Sequence, residues 1–542
     1  MSNKIIKGTS IIGGITVVSR VLGFVRDLLI ARLFGAGMFS DAFFVAFRIP
    51  NLLRSFVGEG ALTAGFIPIF SEELNKGRQK AQRAISSCAG MLITVTLFLS
   101  VACFWFSDEV ISLFAPGYMS DSAKFRLTSD LLRIMFPYIV FVSLVVLIGG
   151  ALNTVEIYGT AALAQVLMNL VFIAGALCAP YFAGAEPYVL AFFVLLGGIL
   201  QVVIQLPFLK KAGFSLKPTV KFAGRVTKSV ALLMAPAIVG AAVYQASIFV
   251  NTILATLLKE GSVSWLFYAD RIAQLPIGIF SIALGTALLP ALSMSSAKGD
   301  KKEYEKNILL ALRFITVIML PLSCMMVLLS DEIAIVLFER GAFDRYSSFQ
   351  TSHALKAYAI GLWGVSINSV LAKAFIATKD TKTPTVAGCI SLLAGMLFAV
   401  AFMGSPVGAH HGWGGRFVAS IQGFLESLFG KGALPSLEHV ALALSSSLSA
   451  YISCIILGVL LKRRSKSISY AKVSLTAVKT SVCVAIMAVA HSVIFNLISV
   501  NNAPFTLRLV AGAAFMGVAF IAAAALLRLE ELFLLFKAIT KK

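Results

Sequence analysis

Charge is what this sequence is short of. Only 13% of its 542 residues are Asp, Glu, Lys or Arg, while 58% are hydrophobic. A soluble domain carries about 25% charge. The mean hydropathy is +0.91. No water-soluble fold hides that much apolar surface, so the composition excludes a soluble protein and points to a polytopic membrane protein. Acid is scarcer than base: 25 Asp and Glu against 46 Lys and Arg give a net charge of +21. In a membrane protein such an excess belongs to orienting loops, and no nucleic-acid partner is expected. Histidine and cysteine are few, 5 and 7. Cys88, Cys103, Cys178, Cys324, Cys389, Cys454 and Cys483 lie in apolar stretches without metal-ligand spacing, and read as small packing residues. His410 and His411 show no ligand pattern, and only His353 lies near other intramembrane charges. There is no P-loop, no nucleophile–base pair and no metal motif. The expectation is therefore no enzyme, no metal and no cofactor. The first apolar run, from Ile11, is interrupted by Arg20, Arg26 and Asp27, and no small-residue cleavage site follows it, unlike a signal peptide.

What is present is a series of apolar runs of about 20 residues, the length that crosses about 30 Å of hydrocarbon. They fall near 10–34, 41–70, 85–106, 129–152, 159–180, 187–209, 229–257, 264–295, 308–329, 351–375, 384–403, 440–461, 473–497 and 506–528. That makes about 14 spans in an all-α fold. With both termini on one side, that side collects roughly 27 Lys and Arg against about 8 on the other, which predicts cytoplasmic termini. The chain also repeats itself. Ser107-Asp-Glu-Val-Ile-Ser-Leu-Phe114 resembles Ser330-Asp-Glu-Ile-Ala-Ile-Val-Leu-Phe338, 223 residues on, and Pro68 to Ser71 resembles Pro290 to Ser293, 222 on. Six spans per copy preserve orientation, so the copies are parallel repeats. The organisation predicted is a six-helix lobe over 1–222, a second over 223–465, and two extra helices with an amphipathic tail (Arg528 to Lys542) over 466–542. Within a long outer loop, 404–439, Phe417 to Phe429 reads as a surface helix at the membrane interface.

The informative residues are charges inside the spans. Each costs about 2.5–3.5 kcal/mol at the bilayer centre, so they must face a polar cavity or one another. The first span carries Arg20, Arg26 and Asp27; the second carries Asp41, Arg48, Arg54 and Glu59; the eighth carries Asp270 and Arg271. At 100° per residue, Arg20, Gly23, Arg26 and Asp27 share one arc, as do Asp41, Arg48, Ser55 and Glu59, although Pro50 kinks the latter helix. Arg271, Gln274 and Gly278 share a face of the eighth span. Arg20, Arg26, Arg54 and Arg271 form the candidate binding set, because a guanidinium is planar, always charged and forked to match a diphosphate. Asp27, Asp41, Arg48, Glu59, Asp270 and Gln274 are cavity or gating candidates. The competing reading is internal ion pairing: Arg26 with Asp27, Asp270 with Arg271, and Arg48 with Asp41 or Glu59. Bases exceed acids five to four in this set, which favours an anionic ligand.

Ser19-Arg-Val-Leu-Gly-Phe-Val-Arg-Asp27, Ser40-Asp-Ala-Phe-Phe-Val-Ala-Phe-Arg-Ile-Pro-Asn-Leu-Leu-Arg54, Glu59-Gly-Ala61, Ser264-Trp-Leu-Phe-Tyr-Ala-Asp-Arg271 and Lys379-Asp-Thr-Lys-Thr-Pro384 resemble the MurJ (MviN) lipid II flippases. These belong to the multidrug/oligosaccharidyl-lipid/polysaccharide exporter superfamily. The resemblance covers about residues 8–400. It implies 14 helices in two six-helix lobes plus two C-terminal helices that form a groove for a lipid tail. It implies alternating-access export of lipid II, an undecaprenyl-diphosphate-linked MurNAc-pentapeptide-GlcNAc, across a bacterial inner membrane. Membrane lipids and cell-wall synthesis proteins are the further partners it suggests. It places the essential cavity arginines on Arg20, Arg26, Arg54 and Arg271, with Asp41 also important. Two departures stand out: Ser55 occupies a position where many members have a second arginine, and the 404–439 loop is long for the family. Some members hold sodium with carboxylates, yet spans 229–257, 384–403 and 440–461 contain no acid here. The alternatives are export of another undecaprenyl-diphosphate-linked glycan, or a drug exporter of the same fold.

Overall fold

The computed structural model is all-α and describes residues 2–56, 62–220, 224–407, 412–429, 435–465, 467–500 and 503–532. Glu59, His410, His411 and most of the expected tail after Arg528 lie outside the described residues. The helices run α1 (Ser2–Phe34), α2 (Met38–Phe56), α3 (Leu62–Asn75), α4 (Arg78–Trp105), α5 (Ser107–Phe114), α6 (Ser122–Met135), α7 (Tyr138–Thr154), α8 (Thr160–Cys178) and α9 (Glu186–Lys211). Then come α10 (Arg225–Thr256), α11 (Ser262–Pro276), α12 (Ile282–Ala297), α13 (Lys301–Leu328), α14 (Ser330–Phe338), α15 (Arg345–Ala377), α16 (Lys382–Phe402), α17 (Trp413–Phe429) and α18 (His439–Arg464). Two last helices, α19 (Ala471–Val500) and α20 (Phe505–Leu526), follow. Helix satisfies every backbone N–H and C=O within one segment, which lipid demands. Among the described residues, eleven helical stretches are long and apolar enough to cross a membrane. The other three of the fourteen expected runs are occupied by α1, by α2 with α3, and by α10. Large apolar side chains remain bare on the surface, among them Phe98, Trp105, Val518 and Leu526 at 71%, 74%, 67% and 83% exposure. A surface of that kind suits lipid rather than water.

The internal repeat is visible in helix lengths. Helices α4 and α13 are both 28 residues long and start 223 residues apart. Helices α9 and α18 are both 26 residues long, but start 253 apart (439 − 186). The surplus of 30 residues therefore lies between α16 and α18, where α17 stands, and the long loop is an insertion into the second copy. An ion pair repeats too. Arg133 donates to Asp108 at 3.1 Å, and Lys356 to Asp331 at 3.0 Å, both members displaced by 223. The copies differ where proline intervenes. Pro137, which has no N–H to donate, separates α6 from α7, whereas the corresponding α15 runs unbroken for 33 residues. Pro276 ends α11 at a π-helical turn, Ile277–Ser281, before α12.

The chain divides into two compact units, Met1–Ser264 with Val407–Arg416, and Trp265–Pro406 with Phe417–Lys542. In the first, α8 packs on α1 and α9, α7 on α9 and α4, and α3 on α10. Its core gathers Phe66, Phe70, Ile85, Leu147, Ile148 and Leu152. In the second, α15 packs on α13 and α18, and α16 on α18, around Leu292, Ile308, Ile315 and Leu371. Helices α19 and α20 pack on each other and on α13 through Met487, Met516 and Val317.

Candidate functional site

In the first unit, the sequence of α1 sets an apolar helix with one polar face. Arg20 lies exposed on it and has no ion-pair partner among the described residues. Arg26, six residues or about 9 Å further along, is partly buried and held from several sides. It donates from Nε and Nη2 to Asp27 Oδ1 at 2.9 and 2.8 Å, and from Nη1 to Asn169 Oδ1 at 3.1 Å. Its guanidinium also lies 5.0 Å from the centre of the Phe172 ring. Asn169 in turn donates to the Ser19 carbonyl at 2.8 Å, so α8 fixes both the register of α1 and the direction of Arg26. The adjacent pair Arg26–Asp27 does form, with Asp27 only 3% exposed. Arg26 is thus a preoriented, partly neutralised group rather than a bare cation. Asn169 and Phe172 were not foreseen: a lone amide or ring in an apolar span carries no periodic signal.

On α2 the residues Phe47, Asn51 and Arg54 follow at i, i+4 and i+7, hence on one face. Phe47 meets Phe172 with ring centres 5.6 Å apart and Tyr138 at 6.5 Å. Arg54 donates from Nε to Asn51 Oδ1 at 2.7 Å. Tyr138 is itself buried, 3% exposed. Ser55, 5% exposed, turns its hydroxyl back to the Leu52 carbonyl at 2.7 Å.

Asp41 does something different from what its place in the polar stripe suggests. It is 1% exposed, and both oxygens are doubly engaged. Oδ2 accepts from Lys124 Nζ at 2.8 Å and from the Gly261 N–H at 2.9 Å. Oδ1 accepts from the Ser264 N–H at 2.9 Å and from its Oγ at 2.6 Å. The Lys124 ammonium also sits 4.4 Å from the Tyr118 ring centre. Asp41 therefore ties the start of α2 to α6 and to the start of α11. Of the two partners anticipated for Arg48, Asp41 is engaged by Lys124 and Glu59 lies outside the described residues; Arg48 reaches the Thr252 hydroxyl of α10. A buried acid requires a base, and Lys124 supplies it from outside the apolar runs.

In the second unit, one face of α11 buries Trp265, Tyr268 and Ile272. Tyr268 packs on Phe338 and Phe343 with ring centres 5.0 and 5.4 Å away. The remaining face carries Phe267, Asp270, Arg271 and Gln274. Arg271 lies 4.8 Å from the Phe267 ring centre, and Gln274 Nε2 donates to Asp270 Oδ2 at 2.5 Å. Aromatic packing on the buried side thus fixes which way this polar face turns.

A chain of apolar helices with arginines on fixed polar faces can bind an anionic group inside a membrane, and similar proteins show the family to which such a chain belongs. Residues 30–411 match the family described as lipid II flippase MurJ. The chain belongs to the MurJ family. Arg54 and Arg271 lie within the matched stretch, and Arg20 and Arg26 just before it. A lipid II flippase MurJ of Burkholderia cenocepacia is 38% identical over 378 residues, covering 69% of this chain and 73% of its own. A probable lipid II flippase MurJ of Vibrio cholerae is 35% identical over 417 residues, covering 74% and 78%. A solved MurJ structure in an inward closed conformation superposes with a TM-score of 0.75 at 22% identity, covering 95% of this chain and 98% of that one. An inward-facing multidrug MATE transporter of the MOP superfamily gives 0.66 at 14% identity, covering 85% and 98%. These likenesses establish the fold. Membership of the MurJ family makes the chain a multi-pass transporter of the bacterial inner membrane, a flippase and not an enzyme.

Proposed function

We propose that this chain carries lipid II from the cytoplasmic to the periplasmic leaflet by alternating access, with its diphosphate held by guanidinium groups. The guanidinium candidates are Arg20, Arg26, Arg54 and Arg271. The observation that carries this reading is the positive excess on the polar faces of α1 and α2. Arg20 has no acidic partner among the described residues, and Arg26 is aimed by Asn169 and Phe172 as well as by Asp27. Asp27 and Asn169 act as positioning residues and Asp41 as a fixed tie, with Arg48, Asp270 and Gln274 as further polar candidates. No bond changes; the protein supplies orientation and a charged, membrane-shielded path. A potential of 100 mV is worth about 2.3 kcal/mol per charge, enough to reset a cationic site without ATP. Both termini are taken as cytoplasmic, which puts the basic loops on the side predicted by the charge rule, and cell-wall synthesis proteins as downstream partners.

The test is complementation in a bacterium depleted of its own flippase, with outer-leaflet lipid II measured directly. Arg26→Ala and Arg271→Ala should each abolish delivery while the protein still accumulates in the membrane. Normal lipid II arrival with either variant would sink the clamp. Accumulation of a different undecaprenyl-linked glycan on depletion would favour the alternative cargo.

A further inference from the structure

Lys373 in α15 is an intramembrane cation that the four arginines do not account for. It stands four residues before the end of the helix at Ala377. A lysine so near a helix end can run its stem to the nearer water boundary. Lys373 turns the other way. Its Nζ donates to Ser369 Oγ at 2.9 Å, one turn back towards the middle of the span. There it lies over Gly285 of α12, where a Cβ would come within 1.8 Å of Nζ and 2.5 Å of Cε. Gly285 therefore leaves a notch that the ammonium fills. Among the described residues no carboxylate pairs with Lys373, and one hydroxyl satisfies only one of its three donors. An uncompensated charge in a span is costly and is retained for function by default. Arg271 and Gly285 are 14 residues apart along α11 and α12, on the order of 20 Å at 1.5 Å per residue. That is too far for one diphosphate to touch both Arg271 and Lys373.

We propose that Lys373, with Ser369 and the notch at Gly285, is a second anion station that binds an anionic oxygen of the substrate headgroup apart from the group held at Arg271. The proposal rests on the lipid II reading above. The shared chemistry is an oxyanion, supplied either by the diphosphate at another stage of transport or by a carboxylate of the peptide. The test titrates full-length protein in nanodiscs with lipid II and with undecaprenyl diphosphate, reading binding by native mass spectrometry. Lys373→Gln should weaken lipid II binding about tenfold, the usual worth of one charge-assisted contact, and Lys373→Arg should restore most of it. Gly285→Ala keeps the lysine but displaces its flexible tip, and should weaken binding as well; it decides the matter if Lys373→Gln fails to fold. Loss with both lipids assigns the station to the diphosphate, and loss with lipid II alone assigns it to the peptide. Undiminished binding by Lys373→Gln and Gly285→Ala, beside a weakened Arg271→Ala, overturns the station and leaves the clamp intact. Undiminished binding by Arg271→Ala, beside a weakened Lys373→Gln, does the reverse.

Discussion

Replacing Lys124 by Met should cost about 3–5 kcal/mol of stability, the range for removing one partner of a buried ion pair. The magnitude follows from how completely Asp41 is enclosed. The carboxylate is 1% exposed and Lys124 5%, so water cannot substitute for the missing ammonium. Three donors would remain on Asp41, the N–H groups of Gly261 and Ser264 and the Ser264 hydroxyl, and none of them carries charge. Asp41→Asn should be similarly damaging, because it leaves the ammonium buried and puts an NH2 against groups that donate. The double variant, Asp41→Asn with Lys124→Met, removes both charges and should recover about 2 kcal/mol relative to the sum of the single changes, on the order of the coupling seen for contacting residues. The assay is equilibrium unfolding of the purified protein in detergent, followed by intrinsic fluorescence, with all four members of the cycle. If Lys124→Met unfolds at the same denaturant concentration as the parent, the pair does not tie these helices together.

Other consequences follow from single contacts. At Gly90 a Cβ would lie 1.9 Å from the Thr219 carbonyl oxygen, a backbone atom that cannot swing aside, so Gly90→Ala should lower stability by about 1–3 kcal/mol. Gly13→Ala, where nothing lies within 4 Å, should be neutral or slightly stabilising in the same unfolding assay. At Asp331 burial pushes the carboxyl up, but hydrogen bonds from Ser352 and Lys356 outweigh it and hold the group below its ordinary value of 3.8. A depressed carboxylate stabilises the fold above that ordinary value and loses the contribution as pH falls through the folded one. Asp331→Asn should therefore flatten the fall in melting temperature below about pH 4, and an unchanged acid limb would refute the assignment. Glu531, 1% exposed, accepts from Arg313 Nε at 2.5 Å and from Thr476 Oγ1 at 2.8 Å. Glu531→Gln should loosen α19 and α20 from α13, seen as faster hydrogen exchange at the ends of those two helices and not in α4 or α7.

The span count, the repeat and the arginines were legible because each leaves a linear mark. An apolar run of fixed length must be helix, a recurring Ser-Asp-Glu segment betrays duplication, and an arginine in an apolar run stands out by cost alone. The segment Phe417 to Phe429 of the long loop, read as helical, lies within α17. Other features were hidden for physical reasons. Lys124 belongs to the start of α6, where Lys124 and Arg126 precede the apolar run that begins near residue 129 and so read as loop rather than span. Asn169 matters only through Arg26 and Ser19, which are 143 and 150 residues away in sequence. Lys373 was as visible as any arginine in the sequence, but its meaning depends on a glycine in another helix.

The ion pairs within each unit sharpen the case for an anionic cargo instead of weakening it. Asp41 is answered by Lys124, Asp331 by Lys356, Glu531 by Arg313 and Asp108 by Arg133, each inside its own unit. None of these bases belongs to the four candidate arginines. Arg26 does share a carboxylate, but Asp27 is its immediate neighbour in sequence, so that pair sets direction without tying α1 to another helix. These acids serve architecture, have recruited their own bases, and so contribute nothing towards neutralising the arginine faces. The duplicated pair at Asp108 and Asp331 makes the point independently, since both copies keep an architectural acid and base. At the same offset of 223, Arg48 of the first copy recurs as Arg271, whereas Arg20, Arg26 and Arg54 meet Val243, Phe249 and Ile277. The shared scaffold therefore does not require a charge at Arg20, Arg26 or Arg54, which agrees with the ligand role proposed for them.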